Sequence, residues 1–279
     1  MKKIAVTGAS GLVGTRIIEL LSDKFEFIPL KQENMDITDK DSVNSYLKSI
    51  SFDLLLHLAA YTNVVGAETE KEKAFLINET GTKNLLDVVQ SVKKEFLYIS
   101  TDFVFDGTTP PYVETSTPNP ISVYGASKYA GEKVVGNNGM IVRISYPYRS
   151  VYEIKKDIFR TLKGLLENGK TLSMVDDSLM VPTFIDDIAY GLGYLMNNYS
   201  NELFHLVGAD AMSPYTLAMS IAKAFGLNES LVGKTTYDVY FANKAKGPRY
   251  SDIRSNKNTF YKMHTFEEGL SLIKNQLSL

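Results

Sequence analysis

Short apolar runs alternate with longer stretches of helical periodicity through the first half of this chain. Ile4-Ala5-Val6 predicts a first strand, and Ile17, Ile18, Leu20 and Leu21 give the segment after Gly14 an apolar helical face. Phe25 to Leu30 predicts a second strand. Asp53-Leu54-Leu55-Leu56-His57-Leu58 and Phe96-Leu97-Tyr98-Ile99 read as the continuously buried strands of a parallel sheet. Between them the pattern predicts one long helical stretch from about Glu70 to Val92, and Met140-Ile141-Val142-Arg143-Ile144 is expected to be the last strand of this core. A loop rich in Thr and Pro, Thr108 to Pro120, precedes a further helix that carries Tyr124. Strands alternating with helices in this way predict an α/β fold built on a doubly wound parallel sheet.

After about Ser145 the regularity fades into mixed helices and short strands. Residues 1–145 are therefore read as one domain and 146–279 as mainly a smaller C-terminal lobe, interleaved with the first. A chain of 279 residues is long enough to bury a core for both. The formal net charge of −2, with signs interspersed, gives no footprint for nucleic acid or a membrane surface. The absence of cysteine excludes disulfides, thiolate metal sites and a cysteine nucleophile. His57, His205 and His264 fall in no metal-ligand spacing, so no metal site is expected. Met1-Lys2-Lys3 runs directly into the first strand without a long apolar leader, and no apolar run approaches membrane-spanning length. These features predict a soluble, cytoplasmic protein.

Two motifs carry candidate chemistry. Thr7-Gly8-Ala9-Ser10-Gly11-Leu12-Val13-Gly14 lies between the first strand and the first helix. Glycines there let backbone amides approach a pyrophosphate, and a helix N-terminus adds partial positive charge. The motif predicts a Rossmann-type dinucleotide site holding Gly8, Ser10, Gly11, Leu12, Val13 and Gly14 against the cofactor. The second strand ends Pro29-Leu30-Lys31, with no carboxylate before Glu33. A cation at that place accommodates a ribose 2′-phosphate, so Lys31 points to NADPH, with NADH as the alternative. The second motif is Tyr124-Gly125-Ala126-Ser127-Lys128, whose spacing of four puts phenol and ammonium on one helical face. A nearby ammonium stabilises a phenolate, so the pair predicts a tyrosine of lowered pKa that exchanges a proton with a substrate oxygen.

With these motifs in place the chain resembles the extended short-chain dehydrogenase/reductase family, and within it the dTDP-4-dehydrorhamnose reductases. The matching segments are Ala59-Ala60-Tyr61-Thr62, Asn78-x-x-Gly81-Thr82-x-Asn84-Leu85, and Ser100-Thr101-Asp102-Phe103-Val104-Phe105-Asp106-Gly107. They continue with Pro118-x-Pro120-x-x-x-Tyr124-Gly125-x-Ser127-Lys128-x-x-Gly131-Glu132, Pro182-Thr183, Asp187-Ile188-Ala189 and Phe204-His205-Leu206-Val207-Gly208. The resemblance implies that Thr101 orients a substrate carbonyl, Tyr124 is the general acid, and Lys128 binds the nicotinamide ribose. It implies that Asp36-Ile37, expected after a third strand, meet the adenine side, and that Ala59, Ala60 and Tyr61 line the cofactor. Phe103 stands where related sugar 4,6-dehydratases place a glutamate, which argues against dehydration.

The sugar side departs from the resemblance. The family's Arg-Thr-Ser-Trp-x-Tyr-Gly reads Arg143-Ile144-Ser145-Tyr146-Pro147-Tyr148-Arg149, and its late Arg-Pro-x-Asn-Ser-x-Leu-Asp reads Gly247-Pro248-Arg249-Tyr250-Ser251-Asp252-Ile253-Arg254. Tyr146 and Arg249 are the candidate substrate contacts. Arg149 and Lys246 are further cations for a nucleotide diphosphate, and Tyr148 and Tyr250 are further aromatics for a cleft. The expected function is NAD(P)H-dependent reduction of a keto group on a nucleotide-activated deoxysugar, and a homodimer is compatible with it. The alternatives are a nucleotide-sugar epimerase, or a non-catalytic NADP-binding subunit of the methionine adenosyltransferase regulatory type.

Overall fold

The computed structural model describes residues 1–278. Six strands form one sheet: β1 (Lys2–Thr7), β2 (Phe25–Leu30), β3 (Leu54–His57), β4 (Glu95–Thr101), β5 (Met140–Ile144) and, in the order of the chain, four strands later, β9 (Leu203–His205). Their spatial order is β2-β1-β3-β4-β5-β9, and every pairing is parallel. The expected doubly wound sheet is thus present, but β5 is not its last strand. Leu203-Phe204-His205 returns from the second half of the chain to pair with Ile141-Val142-Arg143. Three residues are too short a run to stand out by periodicity.

Successive residues of each strand face opposite layers, so every strand feeds two cores. Ile4, Val6, Leu54, Leu56, Leu97 and Ile99 pack on one face against Ile17 and Leu21 of α1 (Leu12–Leu21) and Ile188 and Leu192 of α8 (Ile185–Asn197). Ala5, Leu55, Phe96 and Tyr98 pack on the other against Val43 and Leu47 of α2 (Lys40–Ser49) and Leu85 and Val89 of α5 (Thr82–Ser91). A third core lies away from the sheet. It joins α7 (Ile158–Glu167), α9 (Pro214–Ala224) and α11 (Phe266–Gln276) through Phe159, Leu162, Leu217, Ile221, Phe266 and Ile273. The strands β7 (Leu172–Val175) and β10 (Val232–Thr235) pair beside it, as do β6 (Pro147–Tyr148) and β8 (Thr183–Phe184).

The stretch expected as one helix from Glu70 to Val92 is segmented. Helices α3 (Val64–Thr69) and α4 (Lys71–Phe75) lead into a π-helical turn at Leu76–Gly81, and then into α5. The cause is Asn78, which is fully buried. Its amide oxygen accepts from Tyr61 N at 2.8 Å, while Nδ2 donates to Tyr61 O at 3.1 Å and Ser127 Oγ at 2.9 Å. Three such bonds outweigh regular helical winding, and π turns of this kind are frequent at functional sites. One further buried polar group ties the layers. His57 sits between Thr7 Oγ1 at 2.7 Å and Thr82 Oγ1 at 3.1 Å, and burial lowers its pKa to about 3.

Candidate active site

The sheet order reverses around β1, which has β2 on one side and β3 on the other. Ligands of open α/β sheets bind beyond the carboxyl ends of strands at such a point. The register pairs Thr7 with both Leu30 and His57, so the following residues, Gly8, Lys31 and the Leu58-Ala59 turn, emerge side by side. Gly8 has φ +67°, and a Cβ there would stand 2.7 Å from Ala59 N. A Cβ on Gly14 would meet Gly8 O at 2.4 Å, so the loop folds back on α1 only because both positions lack side chains. The N-cap of α1 is Gly11, with no side-chain cap and no acidic residue in the first turn. The leading amides, which include those of Leu12 and Val13, are thus left for an anion.

A cavity of about 850 Å³ opens at this edge of the sheet. Its wall includes Gly8, Ser10, Ala59 and Ala60 on one side and Lys31, Asp36 and Ile37 on the other. Asp36 and Ile37 follow β2, not a third strand. The Asp36 carboxylate accepts from Thr38 N at 2.9 Å and Thr38 Oγ1 at 2.8 Å. Lys31 is exposed, with Nζ 3.5 Å from Glu33. The residues present suit a dinucleotide: an uncapped helix end for the phosphates, a cradle that side chains would fill, and an exposed cation at the rim of the β2 end.

Thr101, Tyr124 and Lys128 are not part of that cavity wall; they stand two strands along from β1, at the end of β4 and on α6 (Val123–Val135). Ser122 caps α6 by accepting from Gly125 N at 3.1 Å. A Cβ on Gly125 would meet Phe103 O at 2.1 Å, so this glycine lets the first turn of α6 press onto the segment after β4. Tyr61 and Tyr124 belong to one apolar cluster, which joins the turn after β3 to α6. The ring of Phe103 meets Tyr124 edge-on, with centroids 5.5 Å apart.

The direction of the Tyr124 shift is opposite to that expected from helical spacing. Burial pushes its phenol up to about 12, with proximity to the Thr101 hydroxyl partly offsetting this and the charge of Asp102 adding to it. The reason is where Lys128 points. Its ammonium donates to Ile99 O at 2.7 Å and lies 4.0 Å from the centre of the Tyr98 ring. Burial brings the Lys128 pKa down to about 7, against a smaller opposing effect of Glu132. Glu132 is itself committed to Arg143, with Nε–Oε1 and Nη2–Oε2 distances of 2.8 and 2.6 Å in a fully buried bidentate pair that ties α6 to β5.

Two buried residues at the site were not singled out from the sequence, although Asp102 lies in a matched segment and Ser251 in the late segment that departs from the resemblance. Asp102 is 1% exposed, and its Oδ1 accepts from Thr101 Oγ1 at 3.0 Å. Ser251, from the C-terminal segment, donates to Asp102 Oδ2 at 2.5 Å. Burial raises the Asp102 pKa, and hydrogen bonds from Ser251 and Thr101 oppose this. A carboxylate directly after a buried strand was the available signal in the sequence; a partner 149 residues away offered none.

The substrate-side expectations divide. Tyr146 has φ +38°, a strained conformation for a residue with a side chain, and its ring lies 6.2 Å from Phe103. Tyr148 is not at a cleft: it is fully buried against Phe266 in the third core. Arg249 is held by Asp177, whose carboxylate takes Nη2 and whose carbonyl accepts from Nε at 3.1 Å. It lies beside the rings of Tyr237 and Tyr250. Arg149 faces α1 instead of the sugar side. It is buried, donates to Thr15 Oγ1 at 3.0 Å and pairs with Glu19 at 2.7 Å. Lys246 is exposed.

A family model described as the RmlD substrate binding domain matches residues 1–278. The chain is 30% identical over 256 residues to the spore coat polysaccharide biosynthesis protein SpsK of Bacillus subtilis, covering 90% of this chain and 88% of that one. It is 31% identical to a dTDP-4-dehydrorhamnose reductase of Aggregatibacter actinomycetemcomitans, over 79% and 78% of the two chains. A crystal structure of dTDP-4-dehydrorhamnose reductase from Bacillus anthracis, in complex with NADP, superposes with a TM-score of 0.91 at 30% identity, covering 99% of this chain and 100% of that one. The glycine loop at the switch of the sheet, the Tyr124 helix beside Thr101 and this full-length match agree: the chain belongs to the RmlD substrate binding domain family, the family of the dTDP-4-dehydrorhamnose reductases.

Proposed function

We propose that this protein reduces a keto group on a nucleotide-activated deoxysugar, as the reductase relatives do, using NADPH and accepting NADH less well. The observation that carries the reading is the half-buried Tyr124, its phenol pushed up to about 12, set against Thr101 at the end of β4, two strands from the glycine loop. Bound NADPH would supply the hydride. Tyr124 gives its proton to the carbonyl oxygen as that oxygen gains charge, and Thr101 orients the same oxygen by a hydrogen bond. Lys128 turns from Ile99 O towards the nicotinamide ribose, and its ammonium then lowers the cost of the phenolate left on Tyr124. Phe103 keeps an apolar ring beside Tyr124, where an acid would be needed to eliminate water.

Gly8, Ser10, Gly11, Leu12, Val13 and Gly14 hold the phosphates, Asp36, Ile37, Ala59, Ala60 and Tyr61 line the adenine half and the approach to the nicotinamide, and Lys31 meets the 2′-phosphate. Tyr146 packs on the sugar, and Arg249 meets the substrate at the far end. Residues 1–145 are the cofactor-binding part and 146–279 mainly the substrate lobe. The reading places a homodimer in the cytoplasm, where the cofactor and nucleotide sugars are available. It is tested by following NADPH consumption with a panel of nucleotide 4-keto-deoxysugars, and with NADH in parallel. Turnover with NADPH favoured, and that preference lost in Lys31→Ala, supports it; absence of turnover across the panel contradicts it.

A further inference from the structure

Ser251 is 2% exposed and is held on both sides. Its own N–H donates to Leu179 O at 2.9 Å, and the carbonyl of the next residue, Asp252, accepts from Tyr112 N at 2.8 Å. This fixes the direction of its hydroxyl, which reaches Asp102 Oδ2 at 2.5 Å. The other oxygen of the same carboxylate accepts from Thr101 Oγ1 at 3.0 Å. Thr101 Oγ1 also accepts from Phe103 N at 3.3 Å.

A threonine hydroxyl has one proton. Reduction as read above needs that proton on the substrate oxygen, yet the buried Asp102 carboxylate competes for it. Both Asp102 oxygens are set against hydroxyl donors, so an Asp102 with no other side-chain donor would keep the Thr101 proton. The short bond from Ser251 supplies such a donor; the buried Ser145 hydroxyl, also near this carboxyl, makes no hydrogen bond.

We propose that Ser251 is a positioning residue for the reduction: by donating to Asp102 Oδ2 it weakens the hold of the buried carboxyl on the single Thr101 hydroxyl proton, so that the hydroxyl can turn from Oδ1 to the substrate oxygen beside Tyr124. Ser251 itself touches neither substrate nor cofactor. Because it arrives on the C-terminal segment, the seating of that segment on β4 sets the donor state of a residue nearly at the centre of the sheet. The proposal rests on the reductase reading.

Its test is steady-state kinetics on Ser251→Ala and Ser251→Thr, each alone and in an Asp102→Asn background, with NADPH affinity measured by fluorescence titration. Ser251→Ala is expected to lower kcat about tenfold, the effect of losing one hydrogen bond to a charged group, with KM and NADPH affinity nearly unchanged. Ser251→Thr, which keeps the hydroxyl, restores kcat. In Asp102→Asn the carboxamide donates to Thr101 and so frees its proton already; removing the Ser251 hydroxyl there costs little more. Should Ser251→Ala not fold, Ser251→Cys, a weak donor of nearly the same shape, takes its place with the same expected loss. Unchanged kcat in the single variant, or an equal further loss in the Asp102→Asn background, overturns the inference while an active wild type leaves the reductase reading intact. An inactive wild type overturns both.

Discussion

A phenol with a pKa near 12 is almost wholly protonated at neutral pH, which is the form a reductase needs at the moment its substrate oxygen gains charge. Burial sets that state in Tyr124. Lys128 has its own signature. Its native pKa of about 7 lies below its ordinary value of 10.5, so between these limits the unfolded chain binds a proton that the native chain does not. Stability therefore rises with pH across this window through Lys128, and is at its lower level below about pH 7. Lys128→Met should gain on the wild type progressively as pH falls from about 10.5 to about 7, and no further below it. Urea denaturation across that range checks this, and a stability difference independent of pH would contradict it. Tyr124 and Lys128 were legible in the sequence as a pair because helical spacing is a local property. The way each titrates was not, because it depends on what β4 and α6 bury around them.

Among the elements, the glycine loop and the π-helical turn are two local departures from regular structure that line the cavity at the sheet edge. A methyl at Gly14 would be driven into Gly8 O, a backbone atom with no freedom to yield. Gly14→Ala is therefore expected to weaken NADPH binding by about tenfold or more, since the amides of α1 lose their approach to the phosphates. Isothermal titration measures it directly; unaltered affinity would remove the loop from the cofactor site. The loop was readable because its three glycines sit between a strand and a helix. The π turn was hidden: Asn78 looks like any polar residue in a helical stretch until Tyr61 and Ser127 are brought to it. Likewise β9 could not be told from a loop, because three residues carry no period and its place beside β5 is fixed by tertiary packing alone.

At the scale of the whole molecule, the second half of the chain returns repeatedly to the first. Arg16 on α1 is held by Asp186 on α8 through two bonds of 2.6 and 2.7 Å. Arg149 reaches Thr15 and Glu19 on the same helix, and Tyr152 donates to Ser10 O at 2.6 Å. Ser251 reaches Asp102 at the opposite end of the site. The helix that follows the glycine loop is thus braced by the second half of the chain. Arg149→Ala should destabilise the protein by about 1–3 kcal/mol, as loss of a buried hydrogen-bonded charge does, and should raise the NADPH dissociation constant as well. Denaturation and titration on the same variant test the two parts; a loss of stability with cofactor affinity intact would mean that the brace does not reach the site. None of these long-range contacts is visible in a linear pattern. That is why Arg149 reads as a substrate cation in the sequence and lies against α1 in the structure.

In the proposed reduction Tyr124 protonates a sugar carbonyl oxygen while NADPH is consumed. The most direct measurement compares wild type with Tyr124→Phe for NADPH consumption on a nucleotide 4-keto-deoxysugar, with NADPH affinity determined for both. Turnover in the wild type, a fall of about 10²–10⁴-fold in kcat for the variant, and nearly equal cofactor affinity are expected. Equal turnover in the two proteins, or tight NADPH binding by a wild type that consumes none, would contradict it.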